Sequence, residues 1–180
     1  MAATTKKQLS KIQRQKAELR KSLWPELDEQ RLWDWRNTAG WLNIPRAFPL
    51  LLQIMDRMSN GKPVSATYLD LWCRTYNDSF VVASNPRQMA FFSGFTGERA
   101  EHTWVSRVRI LANLGFIDIK DGPSGPINYV LIWNPYEVMK RLRTEGRVDT
   151  RSYNALMERM IEVGGESEST TASIAELVTA

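Results

Sequence analysis

Residues 98–133 read ERAEHTWVSRVRILANLGFIDIKDGPSGPINYVLIW. Apolar residues recur at helical spacing as far as Leu114, and Gly115 then supplies a stop. Phe116 to Lys120 alternates with a period of two, as a strand does. DGPSGPIN (121–128) is loop chemistry, and Tyr129 to Trp133 reads as the returning strand. A change of period from 3.6 to 2 over so few residues restricts this part of the chain to a helix that feeds a short hairpin.

The rest of the chain is mostly helical in pattern. Residues 6–23 suit a basic helix with Leu9, Ile12, Leu19 and Leu23 near one face and Lys16 interrupting them. That pattern is too short and too mixed for a coiled coil. Residues 24–44 are Trp-rich, helical or irregular. Pro45 opens a helix to about Ser59, where Phe48, Leu51, Leu52, Met55 and Met58 share a face, and Asn60-Gly61 stops it. Ser65 is placed as the N-cap of a helix over 66–77, with Leu69, Trp72, Cys73 and Tyr76 on one face. Residues 79–83 are β-like. Asn85-Pro86 caps and starts a helix to about Ser93, and Asn134-Pro135 starts another to about Thr144. A last helix covers 149–163, and the acidic remainder is expected to be flexible. The expected organisation is a basic helical arm (1–23), a Trp-rich segment packed on the core (24–63), a central unit (64–134), C-terminal helices (135–163) and a tail (164–180).

With one cysteine and one histidine in 180 residues, an internal disulfide is impossible and a Cys/His zinc site is excluded. Cys73 is expected to be a small buried hydrophobe, and most of the seven Trp to be core or packing residues. The methionines at helical spacing are read as core too; Met157 and Met160, with Leu156, Ile161 and Val163, are also a candidate dimer face. No nucleotide-binding glycine motif is present, and His102 has no partner beyond Ser106 that would make a nucleophile. An enzyme is therefore not expected, nor a cofactor or a metal. No apolar run is long enough for a membrane span and no signal peptide opens the chain, so the expected setting is the cytoplasm. The net charge of +4 is unevenly spread. Lys6, Lys7, Lys11, Arg14, Lys16, Arg20 and Lys21 face only Glu18 at one end, while Glu162, Glu166, Glu168 and Glu176 stand without cations at the other. A basic arm suits a polyanionic partner.

The order helix, strand, helix, turn, helix, strand, loop, strand over 66–133, with Val108-x-x-Leu111-x-x-x-Gly115-Phe116-Ile117 at the exit of the last helix, resembles a winged helix-turn-helix domain. Many winged-helix regulators end their recognition helix with this pattern. The resemblance implies a mainly α (α+β) fold: a winged helix-turn-helix core, a small hairpin wing, and additional N- and C-terminal helices. On a wheel of about 100° per residue, Trp104, Val105, Val108, Leu111, Ala112 and Gly115 fall on one side. Arg99, His102, Thr103, Ser106, Ile110 and Asn113 fall on the other, with Arg107 and Arg109 at its edges. Short polar groups and guanidiniums are what meets base edges and phosphates in a major groove. Arg87 and Gln88, at the start of the preceding helix, are placed against the phosphate backbone. Lys120 sits in the wing, although Asp121 makes the wing tip less basic than is usual. Backbone N–H groups of the wing, Ser124 and Asn128 are further candidates for phosphate contact.

The resulting expectation is a sequence-specific double-stranded DNA-binding protein associated with the nucleoid, a transcriptional regulator and a homodimer. Two alternatives stay open: a plasmid or phage replication or partition protein, and a winged-helix module that binds another protein. Arg107→Ala is expected to weaken duplex binding at two salt concentrations while leaving the fold intact, as read by electrophoretic mobility and circular dichroism.

Overall fold

Three helices begin on a side-chain oxygen placed where the sequence offers one. Asn85 Oδ1 accepts from the Gln88 N–H at 3.0 Å, Asn134 Oδ1 from the Tyr136 N–H at 3.0 Å, and Asp149 Oδ1 from the Ser152 N–H at 2.8 Å. Each satisfies one of the free N–H groups of a first turn. The computed structural model describes residues 2–34, 39–76 and 78–163. They divide into two units between Leu42 and Asn43. The expected tail (164–180) and Trp35 lie outside the described residues.

In the first unit, α1 (Ala2–Leu23) starts earlier than its apolar pattern suggested. After Pro25 a single 3₁₀ turn (Glu29–Arg31) follows. Trp24 and Trp33 are 59% and 70% exposed. Of the Trp expected to be mostly core or packing residues, among the described ones Trp104 is fully buried and Trp72 packs partly buried against the core, while Trp24, Trp33, Trp41 and Trp133 are exposed.

The second unit is mixed α+β. Its helices are α2 (Phe48–Met58), α3 (Ser65–Cys73), α4 (Pro86–Phe92), α5 (Ala100–Leu114), α6 (Pro135–Thr144) and α7 (Thr150–Glu162). Its strands are β1 (Phe80–Val82), β2 (Ile117–Gly122) and β3 (Gly125–Ile132). They form an antiparallel sheet in the order β1-β3-β2, with Phe80 opposite Leu131 and Lys120 opposite Tyr129. The core gathers Phe48 and Leu51 of α2, Tyr68 and Leu71 of α3, Trp104, Val108 and Leu111 of α5, Phe116, Val130 of β3, and Met139 and Leu142 of α6. Phe48, Tyr68, Trp72 and Phe116 form a ring cluster with centroids 4.8 to 6.0 Å apart, Phe48 stacked on Tyr68, Trp72 tilted against both and Phe116 edge-on to Tyr68.

α3 departs from its expected form. It stops at Cys73, and its buried residues are Thr67, Tyr68 and Leu71. Cys73 and Tyr76 are therefore exposed rather than core. The cap is also different. Asp56, from α2, accepts from the Val64 N–H at 2.6 Å, the Ser65 N–H at 2.8 Å and the Ser65 hydroxyl at 2.7 Å. A carboxylate accepts these bonds more strongly than the Ser65 hydroxyl expected there, and its charge suits a helix start. Leu156, Met157 and Met160 of α7 lie in the core, so the dimer face proposed for that helix is already used within the chain.

The hairpin is tighter than its loop chemistry implied. Gly122 pairs with Gly125, so only Pro123 and Ser124 lie between the strands. Asn128 is 3% exposed, and its Oδ1 accepts from the Ser124 N–H at 2.8 Å. A Cβ at Gly122 would come within 2.8 Å of the Asn128 side chain, which explains the glycine. Asn128 is thus a structural part of the turn and is not free to reach phosphate.

Because Asp56 holds three donors across two helices, Asp56→Ala is expected to lower unfolding free energy by about 2–3 kcal/mol. Urea denaturation measures it, and a loss below about 0.5 kcal/mol would show that water replaces the carboxylate at no cost.

Candidate nucleic-acid interface

α5 is held by what its inner side buries. Trp104, Val108, Leu111 and Leu114 are buried, at spacings of four and three, and α5 packs on α3, α4 and β2. Its C-terminus ends on Gly115 in the left-handed region, at φ 80°. The Arg141 guanidinium, from α6, donates to the Leu114 carbonyl at 3.1 Å and fills the space beside Gly115 that a Cβ would need. A cation there also complements the helix dipole. The sequence pattern did not single out Arg141, because nothing in α6 taken alone points to the end of α5.

The outer side of α5 is thereby presented to solvent. Arg99, His102, Arg109 and Asn113 are exposed, and Thr103 and Ser106 are half-buried. Arg99, His102, Ser106, Arg109 and Asn113 follow one another at alternating spacings of three and four, which makes one straight stripe. Thr103 Oγ1 donates back to the Arg99 carbonyl at 2.9 Å. Ile110, expected on this side, is partly buried against the core.

Arg107 is placed differently from its neighbours. It is half-buried, and its guanidinium lies over the Phe95 ring at 5.9 Å from the centroid. Its buried Nε has no hydrogen-bond partner among the described residues. The wheel put it at the edge of a solvent face; the seven-residue turn from Ser93 to Arg99 brings Phe95 against that edge.

Arg87 and Gln88 are exposed at the start of α4. The Gln88 N–H is already taken by Asn85, so one of the few free N–H groups at the start of the seven-residue α4 is occupied. The side chain of Arg87 remains. Lys120 is 73% exposed on β2 and pairs with Asp118 at 3.7 Å. Glu98, Glu101 and Asp121 are also exposed around the stripe and the hairpin. The two glutamates make this surface less cationic than its arginines suggest. Among the described residues no group of three or more His, Cys, Asp or Glu side chains could hold a metal ion, and no helix is long and apolar enough to cross a membrane.

No protein-family model, curated protein or solved structure matches the chain.

The burial difference separates two arginines of one helix. Arg109→Ala is expected to change stability by less than about 0.5 kcal/mol. Arg107→Ala is expected to cost about 1 kcal/mol, because it removes a cation over an aromatic ring and a half-buried stem. Equal thermal unfolding of the two variants would mean that the Phe95 contact contributes nothing.

Proposed function

We propose that residues 65–132 form a winged helix-turn-helix module that binds double-stranded DNA, and that the protein is a sequence-specific regulator of transcription working at the nucleoid. The observation that carries this reading is the outer stripe of α5. It is a row of short polar and guanidinium side chains on a helix whose opposite side is buried, with a two-stranded hairpin directly after it. The order α3, β1, α4, α5, β2, β3 and the sheet order β1-β3-β2 are consistent with that module.

In this reading the N-terminal half of α5 enters the major groove. His102, Thr103 and Ser106 meet base edges, and Arg99 and Arg109 reach either guanine or the flanking phosphates. Arg87 approaches the backbone from α4, while Lys120 of the hairpin is engaged by Asp118 at 3.7 Å. Arg107, turned toward Phe95, supports the stripe more than it reads. A second reading, a module that grips another protein with the same surface, is favoured by Glu98, Glu101, Asp118 and Asp121, which weaken attraction to a polyanion.

Salt separates the two. Phosphate contacts by Arg87, Arg99 and Arg109 give a slope of about −2.7 in log K against log salt, so affinity for a selected duplex falls roughly fortyfold between about 50 and 200 mM. Fluorescence anisotropy on a duplex enriched from a random pool measures it. Arg109→Ala is expected to flatten the slope by about one if it holds phosphate, or to relax one position of the enriched site if it reads a base. Failure to enrich any duplex at about 50 mM salt would overturn DNA binding.

A further inference from the structure

The sheet has a second face, and its composition is unusual for one turned to solvent. Antiparallel sheets that cover a core on one side are normally polar on the other. Here Val81, Val130, Ile132 and Ile117 point into the core. The opposite row carries Phe80 and Val82 on β1, Tyr129 and Leu131 on β3, and Asp118 and Lys120 on β2, as the register requires. Phe80 stacks on Tyr129 at 6.0 Å, with planes 17° apart. Trp133, two residues beyond Leu131, continues the row. Phe80, Val82, Leu131 and Trp133 are 40%, 54%, 36% and 49% exposed. Together they leave on the order of 350 Å² of apolar surface, a patch of the size that marks interaction sites.

We infer that this face pairs with the same face of a second copy of the chain. Charge decides the occupant. Lys120 stands beside Asp118 at 3.7 Å, both on the outer row, so the face has no net charge. Its aromatic rings would stack on bases, but no unpaired cation on the row is there to hold the phosphates of a single strand. A strongly charged protein partner likewise gains nothing. A two-fold contact does gain: in an isologous interface each residue that meets another is met by it in return. Asp118 and Lys120, two residues apart on one strand, then meet Lys120 and Asp118 of the other copy at the edge of an apolar centre. The exposed apolar area is about half of the roughly 800 Å² each partner buries in a stable contact, in keeping with an apolar centre ringed by polar residues. The inference does not depend on DNA binding and is tested without nucleic acid.

The experiment is sedimentation equilibrium of the full chain. A reversible dimer is expected, and Val82→Lys or Leu131→Glu should raise its dissociation constant about tenfold or more. Asp118→Lys and Lys120→Asp, both at exposed positions, should each weaken self-association. Mixed together, the two chains should associate better than either does alone, because each supplies the charge the other lacks. These charge variants carry the test if Val82→Lys does not fold. A monomer up to about 100 µM would overturn the inference. So would a dimer that none of these variants weakens, which would place the contact elsewhere. Binding of a single-stranded oligonucleotide that Val82→Lys abolishes would assign the face to nucleic acid instead.

Discussion

Burial of Trp104, Val108, Leu111 and Leu114 along one side of α5 is the constraint on which the second unit depends. α3, α4 and β2 all pack on this helix. Each of these side chains removes on the order of 1.5–3 kcal/mol worth of apolar surface from water, so the helix cannot turn about its axis without a large loss. A step of one residue would carry the buried face round by about 100° and bring Arg109 toward the core. The orientation of the outer stripe is therefore a consequence of packing. Arg99, His102, Ser106, Arg109 and Asn113 face outward because four apolar neighbours face inward.

Polar groups then fix where the helices end. Asp56 ties the end of α2 to the start of α3, Arg141 ties α6 to the Leu114 carbonyl at the end of α5, and Asn128 closes the hairpin through Ser124. Each joins two elements or closes a turn, and each satisfies backbone groups that would otherwise lose hydrogen bonds. Such bonds contribute modestly when made and cost more when one partner is removed. Their common effect is to fix where α3 begins, where α5 ends and how the hairpin turns.

The outer surface is mixed in charge, and this shapes what it can do. The cations of the stripe stand among Glu98, Glu101, Asp118 and Asp121. A surface of this kind attracts a polyanion weakly and discriminates mainly through local contacts, since phosphate contacts supply affinity and base contacts supply selectivity. The second sheet face complements it. If two copies join through it as proposed, a modest affinity per copy would be multiplied, because the second contact becomes intramolecular.

Several features were legible in the sequence because they depend on neighbours along the chain. The helix stop at Gly115, the Asn-Pro starts of α4 and α6, the apolar side of α5 and the two strands after it follow from local chemistry and from periods of 3.6 and 2. Other features depend on residues far apart, and no period announces them. The cap on α3 comes from Asp56, which carries no cue in its own helix. Cys73 and Tyr76 share a face of the helix expected over 66–77 but lie outside the core, because α3 ends at Cys73 and the core selects Tyr68 and Leu71. Arg107 and Arg109 looked equivalent on the wheel until Phe95 covered one of them. The apolar outer row of the sheet could not be read at all, since it exists only once β1 pairs with β3. Local periodicity thus determined which elements form and which side of α5 is apolar. Tertiary packing decided which polar groups are satisfied, which arginine is free, and which apolar side chains remain in water, because burial and pairing are properties of neighbours in space.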